Sequence, residues 1–167
     1  QHNITATYPG DFNFDNSASD VIVQTITGDP TSISFSLSPN PVHAFSLISL
    51  QSQVTSPYGI PTGTVEFIAD GSVVANAPLD RSGKATATLS TLGAGLHAMM
   101  ARYTADTGFQ PSTSSPVQET VIGADTSMTL TASPNPAIDT EMIIFTAAVH
   151  AVQGISRAPT GTVTFLD

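Results

Sequence analysis

The chain has 167 residues, 40% of them hydrophobic and 10% charged, which is enough for one ordinary domain or two small ones and for a core without staples. A net charge of -9 against four Lys and Arg excludes an electrostatic footprint for nucleic acid or anionic lipid. No cysteine is present, which excludes disulfides, thiolate zinc sites and cysteine nucleophiles.

Serine and threonine supply about a quarter of the chain and apolar runs are short, so an all-β protein without membrane insertion is expected. In chain order, His2, Ile4, Ala6 and Tyr8 alternate with Asn3, Thr5 and Thr7, and only the first set suits a core. Strands then follow at Ser32–Leu37, Phe45–Thr55, Thr64–Ala69, Ser72–Leu79, Lys84–Ser90, Leu96–Thr104 and Ser114–Ile122. Pro39 and Pro41 stop the first of these, because proline donates nothing to a ladder. Asp70-Gly71 is a two-residue hairpin signal, and Asp80-Arg81-Ser82-Gly83 is a looser turn. By alternation Val65 and Phe67 face inward with Glu66 outward, as do Ala85, Ala87 and Leu89 against Thr86 and Thr88.

The chain also repeats itself. His2, Ala6 and Tyr8 return as His97, Ala101 and Tyr103, followed by Asp11 as Asp106, Phe14 as Phe109, Ser17 as Ser112 and Ser19 as Ser114. Ser38-Pro39-Asn40-Pro41 returns as Ser133-Pro134-Asn135-Pro136, and Pro61–Val65 as Pro159–Val163 after three inserted residues. A period of about 95 residues is too long for a solenoid unit and matches a seven-strand sandwich. Residues 1–26 then hold the last two strands of one repeat, 27–122 a complete repeat, and 123–167 the first strands of a third. By register His97, Met99, Ala101 and Tyr103 face inward, and Leu96, Ala98 and Met100 outward.

Ser38–Pro41, Pro61–Phe67 with Gly63 and Asp70-Gly71, Ala94–Tyr103 and Asp106–Ser114 together resemble the bacterial Ig-like domain repeats of large secreted and surface proteins. The resemblance covers the whole chain and implies tandem immunoglobulin-like β-sandwiches, Greek-key and without a disulfide. Two departures stand out: Ala69 adds a residue before Asp70-Gly71, which suggests a bulge, and Ala105 replaces the glycine of the matching Gly10.

Candidate sites are few. His2 and His97 recur where related sandwiches place a corner residue bonded to upstream backbone, so a structural role is expected, together with Tyr8, Tyr103, Asp11 and Asp106. His43 and His150 match Ile138 and Thr55 and belong to no repeated site. No Gly-x-Ser-x-Gly elbow and no zinc spacing is present, and most acids sit in turns where they bond their own backbone. No enzyme and no cofactor are expected. Asp29, Asp80 and Asp106 are weak calcium candidates, because sandwich topology brings their connections to one pole, but Arg81 and Lys84 share it. Phe12 and Tyr58, each in a loop, are the aromatics open to a glycan, while Phe35, Phe67 and Tyr103 read as core. Asn3-Ile4-Thr5 is a glycosylation sequon inside a strand and is discounted.

The expected function is a structural spacer of a long secreted or surface-anchored bacterial protein: a stalk, adhesin shaft or extracellular filament. The rivals are a glycan- or protein-binding accessory module of a secreted enzyme, and a phage or virion decoration domain. With neither signal sequence nor lipidation motif, a mature or internal segment is expected. Linkers 25–30 and 120–125 carry one glycine each, so adjacent domains should touch. The partial repeats at the ends need cover, either from a continuing polypeptide, the favoured reading, or from a head-to-tail copy meeting around Val163, Phe165, Ile4, Ala6 and Tyr8.

Overall fold

The computed structural model describes residues 1–167 apart from Thr107, Gln153, Gly154 and Ser156. All regular structure among the described residues is strand. β1 (His2–Ile4), β2 (Thr7–Tyr8), β3 (Ser17–Ala18) and β4 (Ile22–Gln24) form two ribbons, β1 with β4 and β2 with β3. A sandwich follows, built from β5 (Ser32–Ser38), β6 (Val42–His43), β7 (Ile48–Thr55), β8 (Gly63–Ala69), β9 (Ser72–Pro78), β10 (Lys84–Leu89), β11 (Gly95–Ala105), β12 (Ser112–Thr113) and β13 (Val117–Ile122). β14 (Thr126–Ser133) and β15 (Ile144–Ala151) form a last antiparallel pair.

One sheet of the sandwich runs β10-β7-β5, and the other β6-β13-β11-β8-β9 with β12 added to β11. The chain crosses between sheets from β7 to β8, back from β9 to β10 and again from β10 to β11, which is the Greek-key pattern. The strand β5 shows why the layers form. Ile33, Phe35 and Leu37 turn inward while every intervening serine is exposed. On β7, Ile48, Leu50, Ser52 and Val54 are buried at the same period of two. They meet Val65 and Phe67 of β8 and Met99, Ala101 and Tyr103 of β11, all fully buried. The Phe35 and Phe67 rings lie 5.9 Å apart across the two layers. Each such large side chain contributes about 1.5–3 kcal/mol by leaving water.

Five details depart from the sequence expectations. The second strand starts at Ile48 and not at Phe45, which adopts φ 64° and donates its N–H to Leu92 O. An unexpected strand, β6, follows the Pro39–Pro41 stop and pairs in parallel with β13, so the prolines carry the chain from one sheet to the other. The final strand is split. Ser114 exchanges N–H and hydroxyl bonds with Ala101, and Pro116 has no N–H, so β12 and β13 pair with β11 on either side of a break. The hairpin bulge exists, but Ala69 pairs regularly with Ser72, and the register shift between Phe67 and Ile68 leaves the extra residue at Val74 on β9. Ala105 also sits at the end of β11 paired with Gly63, and not in a turn like that of Gly10, whose φ is 81°.

The outer segments echo the sandwich residue for residue. β1–β4 pairs His2 with Gln24 and Ile4 with Ile22, as β11–β13 pairs His97 with Glu119 and Met99 with Val117. β14–β15 pairs Ser127 with His150 and Ser133 with Ile144, as β5–β7 pairs Ser32 with Thr55 and Ser38 with Ser49. Ile4, Tyr8, Met128, Leu130 and Phe145 of these segments are exposed, and the Phe165 ring stands 6.3 Å from that of Phe145.

Candidate functional site

A polar cluster lies at one end of the sandwich, around His97 on β11. Asp70 and Gly71 take φ 50° and 82°, the left-handed pair that a two-residue hairpin needs. That turn aims the Asp70 carboxylate back at β11. Its Oδ1 accepts the Ala98 N–H at 2.9 Å, and its Oδ2 accepts from His97 Nδ1 at 2.7 Å. The Asp70 N–H in turn donates to Ala98 O at 3.0 Å. His97 Nε2 meets Gly93 O at 3.0 Å. The Asp70 bond, first, and then the Gly93 carbonyl raise the His97 pKa above its ordinary value, while the His97 bond holds Asp70 below the usual carboxylate range.

Across the ladder from His97 stands Glu119, 0% exposed, with both carboxylate oxygens lacking a hydrogen-bond partner. Burial pushes its pKa up, and nearby His97 acts in the opposite direction. Sequence reasoning missed this residue. The signal was available, because Glu119 sits between Val117 and Val121 on the inward parity of β13.

Tyr103, fully buried, donates its hydroxyl to Thr62 O, pinning β11 to the chain entering β8. Burial raises the pKa of its phenol. Gly63 is fixed by the same crossing: its φ is 120°, and a Cβ there would lie 2.7 Å from Thr104 O. The matching Tyr8 donates its hydroxyl to Asp11 Oδ2 at 3.0 Å. Asp11 Oδ1 also closes its own turn by accepting from Asn13 and Phe14 N–H. His2, in β1, is exposed. Pro39 and Pro41 flank Asn40, whose side chain bonds Gln118 O and Thr120 N–H and ties the crossing to β13.

The structure does not assemble the calcium candidates. Asp29 is engaged through its backbone, with its N–H on Gly108 O and its C=O on Gln110 N–H. Asp80 Oδ1 is taken by the Ser82 N–H and hydroxyl and by the Lys84 N–H, and these bonds, the Ser82 hydroxyl foremost, lower its pKa. Asp106 Oδ2 accepts from the Thr62 hydroxyl at 3.3 Å. Among the described residues no three His, Cys, Asp or Glu form a metal-holding group. Turn geometry consumes the Asp80 carboxylate locally, as it does for aspartates generally.

His43 turns its Nδ1 to Gly123 O at 3.0 Å, and His150 is exposed on β15. Neither ring nitrogen of His97 meets a serine hydroxyl, since both are occupied by Asp70 and Gly93. Phe12 is fully exposed and Tyr58 is 70% exposed.

Both segments that the sequence reads as linkers make contacts with the sandwich. The 28–31 segment is held by Gln110, through Nε2 on Gly28 O and its backbone on Asp29, while the Thr31 hydroxyl donates to Gln110 O. Gly28 runs so close to Phe109 that a Cβ would lie 2.9 Å from its backbone. On the other side, Ala124 packs against the sandwich core and the Arg157 guanidinium stands 4.7 Å above the Phe45 ring.

No curated protein sequence matches the chain. Among solved structures, the fibronectin(III)-like modules of Clostridium thermocellum CbhA are similar at 16% identity and a TM-score of 0.44, covering 72% of this chain and 62% of that one. A Jonesia denitrificans lytic polysaccharide monooxygenase is similar at 22% identity and a TM-score of 0.36, covering 52% of this chain and 58% of that one. The chain thus spans about three fifths of the length of either structure. The profile of the bacterial Ig-like domain (group 3) matches residues 35–122, the sandwich itself, and the chain belongs to that family.

Proposed function

We propose that the chain is a load-transmitting spacer: consecutive Ig-like units, bounded at 1–26, 27–122 and 123–167, within a secreted or surface-anchored bacterial protein. Bacterial Ig-like domains are commonly extracellular and typically non-catalytic structural or accessory modules, which agrees with this reading. The observation that carries it is the recurrence of pairing: the bonds of β1–β4 reappear in β11–β13, and those of β5–β7 in β14–β15. Anchored linkers add to it, because Gln110 and Arg157 each tie a junction to the sandwich. Neighbouring units of the same kind, joined head to tail, are then the principal partners.

A second reading is a glycan-contacting accessory module, favoured by the exposed rings of Phe12 and Tyr58. Affinity electrophoresis of the full chain through soluble polysaccharides tests the choice. The spacer reading expects unretarded migration, and a retardation abolished by Tyr58→Ala or Phe12→Ala would replace it with the second.

A further inference from the structure

His97 is unusual in facing a pure acceptor with each ring nitrogen. Nδ1 lies 2.7 Å from the Asp70 carboxylate and Nε2 lies 3.0 Å from the Gly93 carbonyl. A carbonyl never donates, and an ionised carboxylate does not, so only the imidazolium, with both nitrogens protonated, satisfies both bonds. A neutral ring keeps one N–H and orphans the other partner. The two partners belong to different parts of the sandwich: Asp70 to the β8–β9 turn, and Gly93 to the loop joining β10 to β11. That loop also receives the Phe45 N–H at Leu92 O, and Phe45 is the residue beneath Arg157 at the second junction.

The charged surroundings favour the cation from the neighbouring elements. β13 contributes Glu119, buried and opposite His97. β8 contributes Glu66, already paired with Arg102 Nε at 2.7 Å. β6, beyond β13, contributes His43, which is turned to Gly123. In the facing sheet the one charged side chain is Lys84, whose backbone closes the Asp80 turn at the start of β10. With its side chain 17% exposed, His97 retains a path for its proton to water.

We propose that His97 is a proton-operated clasp that locks the β8–β9 turn to the 92–95 loop when protonated and frees one of them when the proton leaves to solvent. Below its titration the pole is closed and the seat of the Phe45–Arg157 contact is fixed. Above it, the 92–95 loop or the Asp70 turn loses its bond to His97 and the junction softens. The device lies wholly within the complete sandwich and goes beyond the spacer reading without depending on it.

The test is histidine-selective NMR of the full chain across mild acid to mild alkali. His97 is expected to titrate above the ordinary imidazole value, with both ring nitrogens protonated in mild acid. Exchange of the Phe45 amide is expected to accelerate as the ring loses its proton. Asp70→Asn should shift the His97 titration down, since asparagine tolerates the left-handed turn conformation. Glu119→Gln should shift it in the same direction through the other neighbour, which keeps the test valid if the turn variant unfolds. A His97 ring that titrates at or below the ordinary imidazole value, or that ignores both substitutions, would overturn the clasp.

Discussion

Ala101 donates its N–H to Ser114 Oγ at 3.0 Å, and Ser114 returns its own N–H to Ala101 O at 2.9 Å. The exchange bridges the break between β12 and β13, where a ladder bond is missing. Ala6 and Ser19 make the same two bonds at 3.0 and 2.9 Å. The third bond recurs too, since Ser19 Oγ donates to Asp20 O as Ser114 Oγ does to Ser115 O. Replacing Ser114 with Ala therefore leaves the buried Ala101 N–H without its partner. A loss of about 1–3 kcal/mol is expected in urea unfolding followed by circular dichroism, and a loss under about 0.5 kcal/mol, as at an ordinary surface site, would contradict it.

Tyr103 combines a buried ring with a hydroxyl bonded to Thr62 O. Tyr103→Phe keeps the ring and orphans the carbonyl. Destabilisation of about 1–3 kcal/mol is expected from that single atom. Thermal unfolding at one pH measures it, and an unchanged midpoint would show that Thr62 finds water instead.

Gly63 adopts φ 120° against Thr104 O, so Gly63→Ala meets both backbone strain and a steric clash. A cost of about 1–3 kcal/mol or more is expected. The distant Gly123, with open space around its Cβ position, is the control and should tolerate alanine. Equal midpoints for the two variants would remove the argument.

Stability should peak in mild acid. His97 has a raised folded pKa, so its contribution is fully present below about 6.5 and is lost as pH rises through the folded value. Glu119 is also raised, so its contribution is present below its ordinary 4.5 and declines as the buried carboxyl ionises at higher pH. Asp70 is lowered, so its contribution is present above 3.8 and is lost as pH falls through the folded value. Denaturant midpoints measured across this range should therefore fall on both sides of a mildly acidic maximum, with the alkaline arm flattened by Glu119→Gln. A maximum on the alkaline side of neutrality would contradict the assigned directions.

Calcium should leave the melt of the chain unchanged relative to chelator. Asp80 is committed to Ser82 and Lys84, and Asp106 accepts from Thr62. A rise of several degrees with calcium would mean that the acids of this pole rearrange into a site.

The sandwich was legible wherever alternation ruled. Ile33, Phe35 and Leu37 against serines, or Ala85 and Leu89 against threonines, admit one inward face, and Asp70-Gly71 admits one turn. The unread parts are those where a local residue is overruled by tertiary pairing. β6 is only two residues long and follows two prolines, so nothing in Val42-His43 announces a strand until β13 is beside it. Val74 takes the bulge in place of Ala69 because the ladder, and not the turn, sets where the extra residue fits. Phe45 reads as a strand residue, but the Leu92 carbonyl fixes it in a left-handed turn. Of the pole cluster, His97 and Asp70 were visible as recurring or turn residues. Glu119 was not, because a carboxylate is the side chain least expected inside a core.

The central claim is that consecutive units are held end to end by anchored junctions. Small-angle X-ray scattering of the full chain tests it most directly. The account predicts a pair-distance distribution with a peak at the cross-section of one sandwich and a long, nearly linear tail, as a rod gives. A symmetric, bell-shaped distribution, from units folded back on one another, would contradict it.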